Sequence, residues 1–315
     1  MIIYKQLNKK GISAFLLLFL IFGKIYAQEG KELVRVCSGL NYQKLVDKLI
    51  DFKAKSTDKI EYEWYTVLER EIIPRYSEQL IEFKKYVKDA KEPHIESVYE
   101  FSVKLIKTSE GNIIFYNVLK GERSLKKEST EMLAVFKTKF DSIYHSPLNF
   151  DELFVTNIRF GKKCGINGID PDHRLKMEKL VTSKDTATLI KWLKSATAEI
   201  QLYALEGILT LESQGMIFDQ KVQNIVELIK NKQGTAFTCG GCIHYNDSIS
   251  HLVEDINIKT EIDKNNISSK PKKNGLNDLF ENGWFLLLIL ISIFAIGVRH
   301  KKNSLRINKI TDSNP

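Results

Sequence analysis

Two uncharged, mostly apolar runs at opposite ends of the 315-residue chain constrain it more than any other feature. The first runs from Ile12 to Phe22, broken only by Ser13, behind Lys5, Lys9 and Lys10, and closes on Ile25-Tyr26-Ala27. A positive leader, a short apolar stretch and a small residue at the cut are the three parts of a secretory signal. This pattern predicts a cleavable signal peptide over 1–27. The second run, Trp284 to Val298, carries no charge and stops at Arg299, Lys301 and Lys302. At ~1.5 Å per residue it reaches about 22 Å, short of a ~30 Å hydrocarbon core. Trp284 suits the interface, however, and the basic residues behind the run can snorkel outward. The run therefore predicts a transmembrane helix over 283–298 and a basic cytoplasmic tail over 299–315.

Charge agrees with that topology. Each end carries a net +4, and together they account for the whole net charge of +8. The region between is neutral, so a basic nucleic-acid surface loses its main support. The expectation is a single-pass inner-membrane protein with its exported domain in the periplasm and its C-terminus in the cytoplasm. Residues 257–282 contain few large apolar groups and read as a tether, because little surface is available there to offset ordering entropy.

The exported region divides on paper into an N-terminal helical or α+β part (28–163) and a helical part with a cysteine cluster (164–256). Helical period dominates. Tyr42, Leu45, Val46, Leu49 and Ile50 make one stripe. Trp64, Val67 and Leu68 start another, and Pro74 fits a helix start before Tyr76, Leu80, Phe83 and Val87. Met132, Leu133, Phe136, Phe140 and Ile143 make a further helix that Pro147 ends. Residues 98–120 fit both readings, since alternation around Ser109-Glu110-Gly111-Asn112 is a hairpin signal, yet Val98, Phe101 and Leu105 also fit a helix. Helical surroundings favour the helix. A short strand over 153–160 is the other β candidate.

Further on, Leu189, Ile190 and Leu193 face one way. After a polar break, Ile200, Tyr203, Ala204, Gly207, Ile208 and Leu211 form one stripe, with Leu202, Leu205 and Leu209 forming a second. A helix apolar on two faces must be covered on both. Val222, Ile225, Val226 and Ile229 follow on a one-sided helix. The segment DTATLIKWLKSATAEIQLYALEGILTLESQG resembles a HEAT or armadillo-type repeat over about 182–232. That resemblance implies a mainly α fold of helical hairpins packed as a partly HEAT-like array, and a binding surface rather than a catalyst.

Four cysteines remain in the mature chain: Cys37, Cys164, Cys239 and Cys242. An even count in an exported chain predicts disulfides. A bridge from Cys164 to Cys239 or Cys242 would close a loop of about 75 residues and stabilise by roughly 4 kcal/mol on the chain-entropy model. Cys239-Gly240-Gly241-Cys242-Ile243-His244 is the densest cluster of reactive side chains. With Cys164 it offers a tetrahedral metal set of Cys164, Cys239, Cys242 and His244, or a redox pair. Ile243 between Cys242 and His244 breaks the haem-attachment spacing. Asp170-Pro171-Asp172-His173 reads as a turn into a helix. His94, His145 and His251 stand without metal spacing, and no phosphate loop, nucleophile elbow or Ser-x-x-Lys pair occurs. No catalytic residue and no cofactor is assigned. The function expected from these features is a membrane-anchored binding or scaffold protein with a protein partner, the alternative being a redox or metal protein built on Cys239, Cys242 and His244.

Overall fold

Alternation, not helical period, governs residues 60–108. Glu61-Tyr62-Glu63-Trp64 alternates charge with aromatic, and the β-branched and aromatic residues around it favour a pleated, half-buried surface. In the computed structural model, which describes residues 28–88, 95–121, 123–129, 131–165 and 167–269, two helices, α1 (Gln28–Ser38) and α2 (Tyr42–Ala54), precede five strands. These are β1 (Ile60–Ile73), β2 (Tyr76–Lys88), β3 (Ile95–Thr108), β4 (Ile113–Lys120) and β5 (Arg123–Ser129), an antiparallel meander in sequence order. Pro74 and Arg75 form the β1–β2 turn. Proline presets one turn position and Arg75 takes a left-handed φ of 72° at the next. The helix start read at Pro74 is therefore a hairpin turn. Gly111, at φ 82°, plays the same part between β3 and β4.

The register puts alternate residues on opposite faces. Ile81 and Phe83 of β2, Phe101, Val103 and Leu105 of β3, and Tyr116 and Val118 of β4 pack under α1 and α2, against Leu33, Leu45, Leu49 and Phe52. Phe83 lies at the centre of this layer, with ring centroids 5.0 Å from Phe52 and 6.0 Å from Phe101. The second face is half covered. Ile72, Tyr76, Ile106, Ile114 and Phe115 meet a helical layer, while the stretch around Tyr65, Glu82 and Ser102 stays open.

That layer contains α3 (Glu131–Tyr144), α4 (Asp172–Ser183), α5 (Thr186–Leu193), α6 (Ala198–Ser213), α7 (Gln220–Lys230) and α8 (Ile249–Ser269). A second sheet is woven into it. β6 (Phe160–Cys164) runs parallel to β7 (Thr235–Gly241), and β7 pairs antiparallel with β8 (Ile243–Ser248). α6 is the central helix, buried on all sides from Ala198 to Ile208. Gly207 lets α5 approach closely, since a Cβ at that position would fall 2.8 Å from a Leu189 methyl and that side chain would have to shift.

Three expectations are corrected. The helices over 186–230 form, but they are not a HEAT-like array. α6 packs mainly on α4 and α5, and through Glu199 and Tyr203 it also meets the sheets, which a stack of helical hairpins does not contain. The fold class is mixed α and β, with a five-stranded antiparallel sheet and a three-stranded sheet, not mainly α. A single-pass membrane protein with a periplasmic domain finds no support: among the described residues no helix is long and apolar enough to cross a membrane. The segments read as signal peptide (1–27) and membrane span (283–298) lie outside the described residues, as does His94. α8 extends to Ser269, into the segment read as a tether. By packing, the chain divides into two units at Asp263, and every side-chain contact below belongs to the first.

Candidate functional site

Exposed edges of sheets invite pairing with other chains. On β1 most of the edge is occupied. Ser56 Oγ accepts from the Tyr62 amide at 3.0 Å and the Thr57 amide donates to the Ile60 carbonyl at 2.7 Å. At the other end Asn246 donates to the Val67 carbonyl at 3.1 Å, and the Glu71 amide donates to the Gln233 carbonyl at 3.0 Å. A bulge at Val67 breaks the register between. The open feature is the sheet face beside this edge.

There, Tyr65 and Val67 of β1, Leu80, Glu82 and Lys84 of β2, and Glu100 and Ser102 of β3 line a groove of about 430 Å³, with Gly121 and Thr156 at its ends. Leu80 makes an apolar floor, buried with Val67 against Leu68 and Phe237. Tyr65, 47% exposed, is an uncovered aromatic wall. Ser102 donates to Glu82 Oε1 at 2.8 Å, and Lys84 pairs with Glu100 at 2.9 Å. One carboxylate, Glu82, is thus left without a cation among these lining residues, so the groove carries a net −1. A smaller hollow of about 300 Å³ by Pro147 and Trp192 has its carboxylate engaged: Glu152 accepts from Ser195 Oγ at 2.6 Å and from the Ala196 amide at 2.7 Å.

Two residues along β2 from the groove's Leu80, buried charge joins the two sheets through α6. Arg70 donates through Nε to Glu78 and through Nη1 to Glu199, each at 2.6 Å, and all three side chains are almost wholly buried. The remaining carboxylate oxygens accept from backbone, Glu78 from Phe154 and Glu199 from Phe237 at 2.7 Å. Burial opposes the charge on Arg70, and the two carboxylates outweigh it, holding the guanidinium above its usual range. Gly234 bridges to Arg70 so closely that a Cβ would sit 2.4 Å from its Cα. Next to this knot Lys232, 3% exposed, donates to Gln201 Oε1, while Gln201 Nε2 donates to the Tyr144 hydroxyl at 3.1 Å. Burial, and then the charge of Arg70, push Lys232 down to about 7. A second buried pair, Arg174 with Glu206 at 2.6 Å, ties α4 to α6, and Lys259 of α8 joins the same carboxylate.

Of the residues singled out from sequence, Cys164, Cys239, Cys242 and His244 come together on the three-stranded sheet, and Cys37 lies apart under the large one. Cys164 and Cys239 form a disulfide across the parallel β6–β7 pair, with Cα atoms 5.5 Å apart. Gly161 makes room for it, since a Cβ there would fall 3.0 Å from the Cys239 sulfur. Cys37 is free and buried under the large sheet, where burial pushes its thiol up to about 12. Cys242 is free and exposed in the β7–β8 turn, and His244 lies across the ladder from Cys239. The sulfur of Cys239 is therefore committed to Cys164 rather than to a metal set. Among the described residues no group of three His, Cys, Asp or Glu side chains could hold a metal ion. Asp170 accepts from the Lys163 amide and Asp172 opens α4, as a turn into a helix requires. His173 stacks on Tyr203 with ring centroids 6.2 Å apart and lies tilted 5.6 Å from Trp192, and burial holds it below its ordinary range.

Comparison with protein-family models, curated proteins and solved structures finds no match. The groove and the Arg70 knot were invisible to a helical reading. Their signal was the alternation in β1 and β2, although only the bulge at Val67 puts both Tyr65 and Arg70 on one face with Leu80 and Glu82.

Proposed function

We propose that this chain is a binding or scaffold protein that seats a basic side chain of a polypeptide partner in the groove on the open half of the five-stranded sheet. The observation that carries this reading is the groove itself. It has an apolar floor at Val67 and Leu80, an exposed ring at Tyr65, and Glu82 as a carboxylate with no cationic partner among the lining residues. A lysine or arginine fits that set: its methylenes cover the floor, its charge meets Glu82, and Tyr65 offers a π face. The volume lies within the range of pre-formed ligand sites, roughly 300–1,000 Å³.

The test is a random peptide library displayed against the purified protein. Recovered peptides are expected to share a Lys or Arg. They should lose about tenfold or more in affinity for Glu82→Gln, the size of a lost hydrogen bond to a charged group. Peptides without a basic residue, or peptides that bind Glu82→Gln as well as the parent, would remove this reading.

A further inference from the structure

We propose that the three-stranded sheet is an internal thiol–disulfide exchange site, in which Cys242 attacks the Cys164–Cys239 disulfide. Three of the four cysteines meet in this sheet. The parallel register sets Cys164 opposite Gly241, the residue before Cys242, and the Gly165 amide donates to the Gly241 carbonyl at 2.7 Å. The β6 end carrying Cys164 and the turn carrying Cys242 are therefore neighbours. The two sulfurs of the disulfide differ in access. Cys239 is 4% exposed and faces the Phe160 carbonyl, while Cys164 is half-buried.

Exchange proceeds by a thiolate attacking one sulfur while the other leaves, and access decides which is attacked. In-line attack on Cys164 comes from the side away from Cys239, and Cys164 is the more exposed of the two. The Cys242 thiol loses its proton to water, a Cys164–Cys242 bond forms, the Cys164–Cys239 bond breaks, and the departing Cys239 thiolate takes up a proton. Two electrons stay in the new disulfide and one thiol replaces another, so neither oxidant nor reductant is consumed. The closed loop grows only by the residues between Cys239 and Cys242, so closure entropy hardly separates the two linkages. The exchange would shift the staple on β6 from the body of β7 to its tip. It would also turn the one exposed free thiol among the described residues into a buried one.

The experiment is disulfide mapping of the full chain, held dilute in mildly alkaline buffer that favours thiol–disulfide exchange, then acid-quenched, alkylated and digested without reductant. The expected result is a Cys164–Cys242 peptide in roughly a tenth of the chains or more, with alkylated Cys239 in equal amount. Both should be missing from Cys242→Ser, whose exposed position leaves the fold intact. Cys164–Cys239 as the sole linkage with Cys242 fully alkylated would overturn the proposal. A dimer linked through Cys242, or a Cys239–Cys242 bond, would overturn it equally.

Discussion

The two sheets stand on different physics. The five-stranded sheet has strands of 7 to 14 residues and packs apolar side chains of β2, β3 and β4 under α1 and α2. The three-stranded sheet has strands of 5 to 7 residues and exposes much of β8. It is held by the Cys164–Cys239 disulfide and by buried ion pairs at its borders, Arg70–Glu199 and Arg174–Glu206. Area suffices for the first. The second is too small to bury enough, so covalent and ionic ties take that role. Such ties specify a geometry, since a lost partner strands a buried charge, whereas a trimmed apolar side chain leaves only a cavity.

Truncations at the heart of each region should hurt most. Phe83→Ala empties the ring cluster and is expected to cost about 3–5 kcal/mol, read as a lower urea midpoint. Glu199→Ala leaves Arg70 with Glu78 alone and the Phe237 amide without its acceptor, and is expected to cost a similar ~3–5 kcal/mol. The distinguishing readout is rescue. Arg70→Met combined with Glu78→Gln and Glu199→Gln should cost less than Glu199→Ala alone, because no buried charge is then left without a partner and both amides keep an acceptor, whereas an equal or deeper loss would deny the knot its ionic character. The disulfide comes next. Serine at both Cys164 and Cys239 should lower stability by about 2–4 kcal/mol, with hydrogen exchange rising in β6 to β8 and not in β2 or β3.

Lys232 gives a smaller effect with a definite sign. An unfolded lysine keeps its proton to near 10.5, and the folded one releases it near 7. Between those values the unfolded chain binds more protons, so this group makes stability rise with pH, by at most ~1.4 kcal/mol per unit. Below about 7 both states are protonated and its contribution is flat. Lys232→Met should flatten the rise between pH 7 and 10, measured as urea midpoints against pH. At the bottom of the scale, Lys84→Ala removes an exposed pair beside the groove and should leave the midpoint where it was.

The helices were legible in the sequence because their stripes are long and clean. α3 and α5 to α7 form where Phe136 and Phe140, Leu189 and Leu193, Leu202 to Leu211, and Val222 to Ile229 mark them. The large sheet was not, for a physical reason. β2 is built from Glu, Gln and Lys, good helix formers, and Tyr76, Leu80, Phe83 and Val87 coincide with helical spacing although they fall on opposite faces of a strand. Tertiary pairing on both sides overrides that preference. The disulfide was readable as a choice between Cys239 and Cys242, and only the parallel β6–β7 pairing selects Cys239. Glu82 carried no sequence signal. A single acid in a Lys- and Glu-rich strand becomes a candidate site only when register places it between Tyr65 and Ser102.

The most direct measurement of the central claim is an amide chemical-shift titration of the isotope-labelled protein with a selected basic peptide. The groove reading predicts that the largest shifts fall on Tyr65, Leu80, Glu82 and Ser102, and that they shrink in Glu82→Gln. Shifts concentrated on the β7–β8 turn, or on the helices with the groove silent, would contradict it.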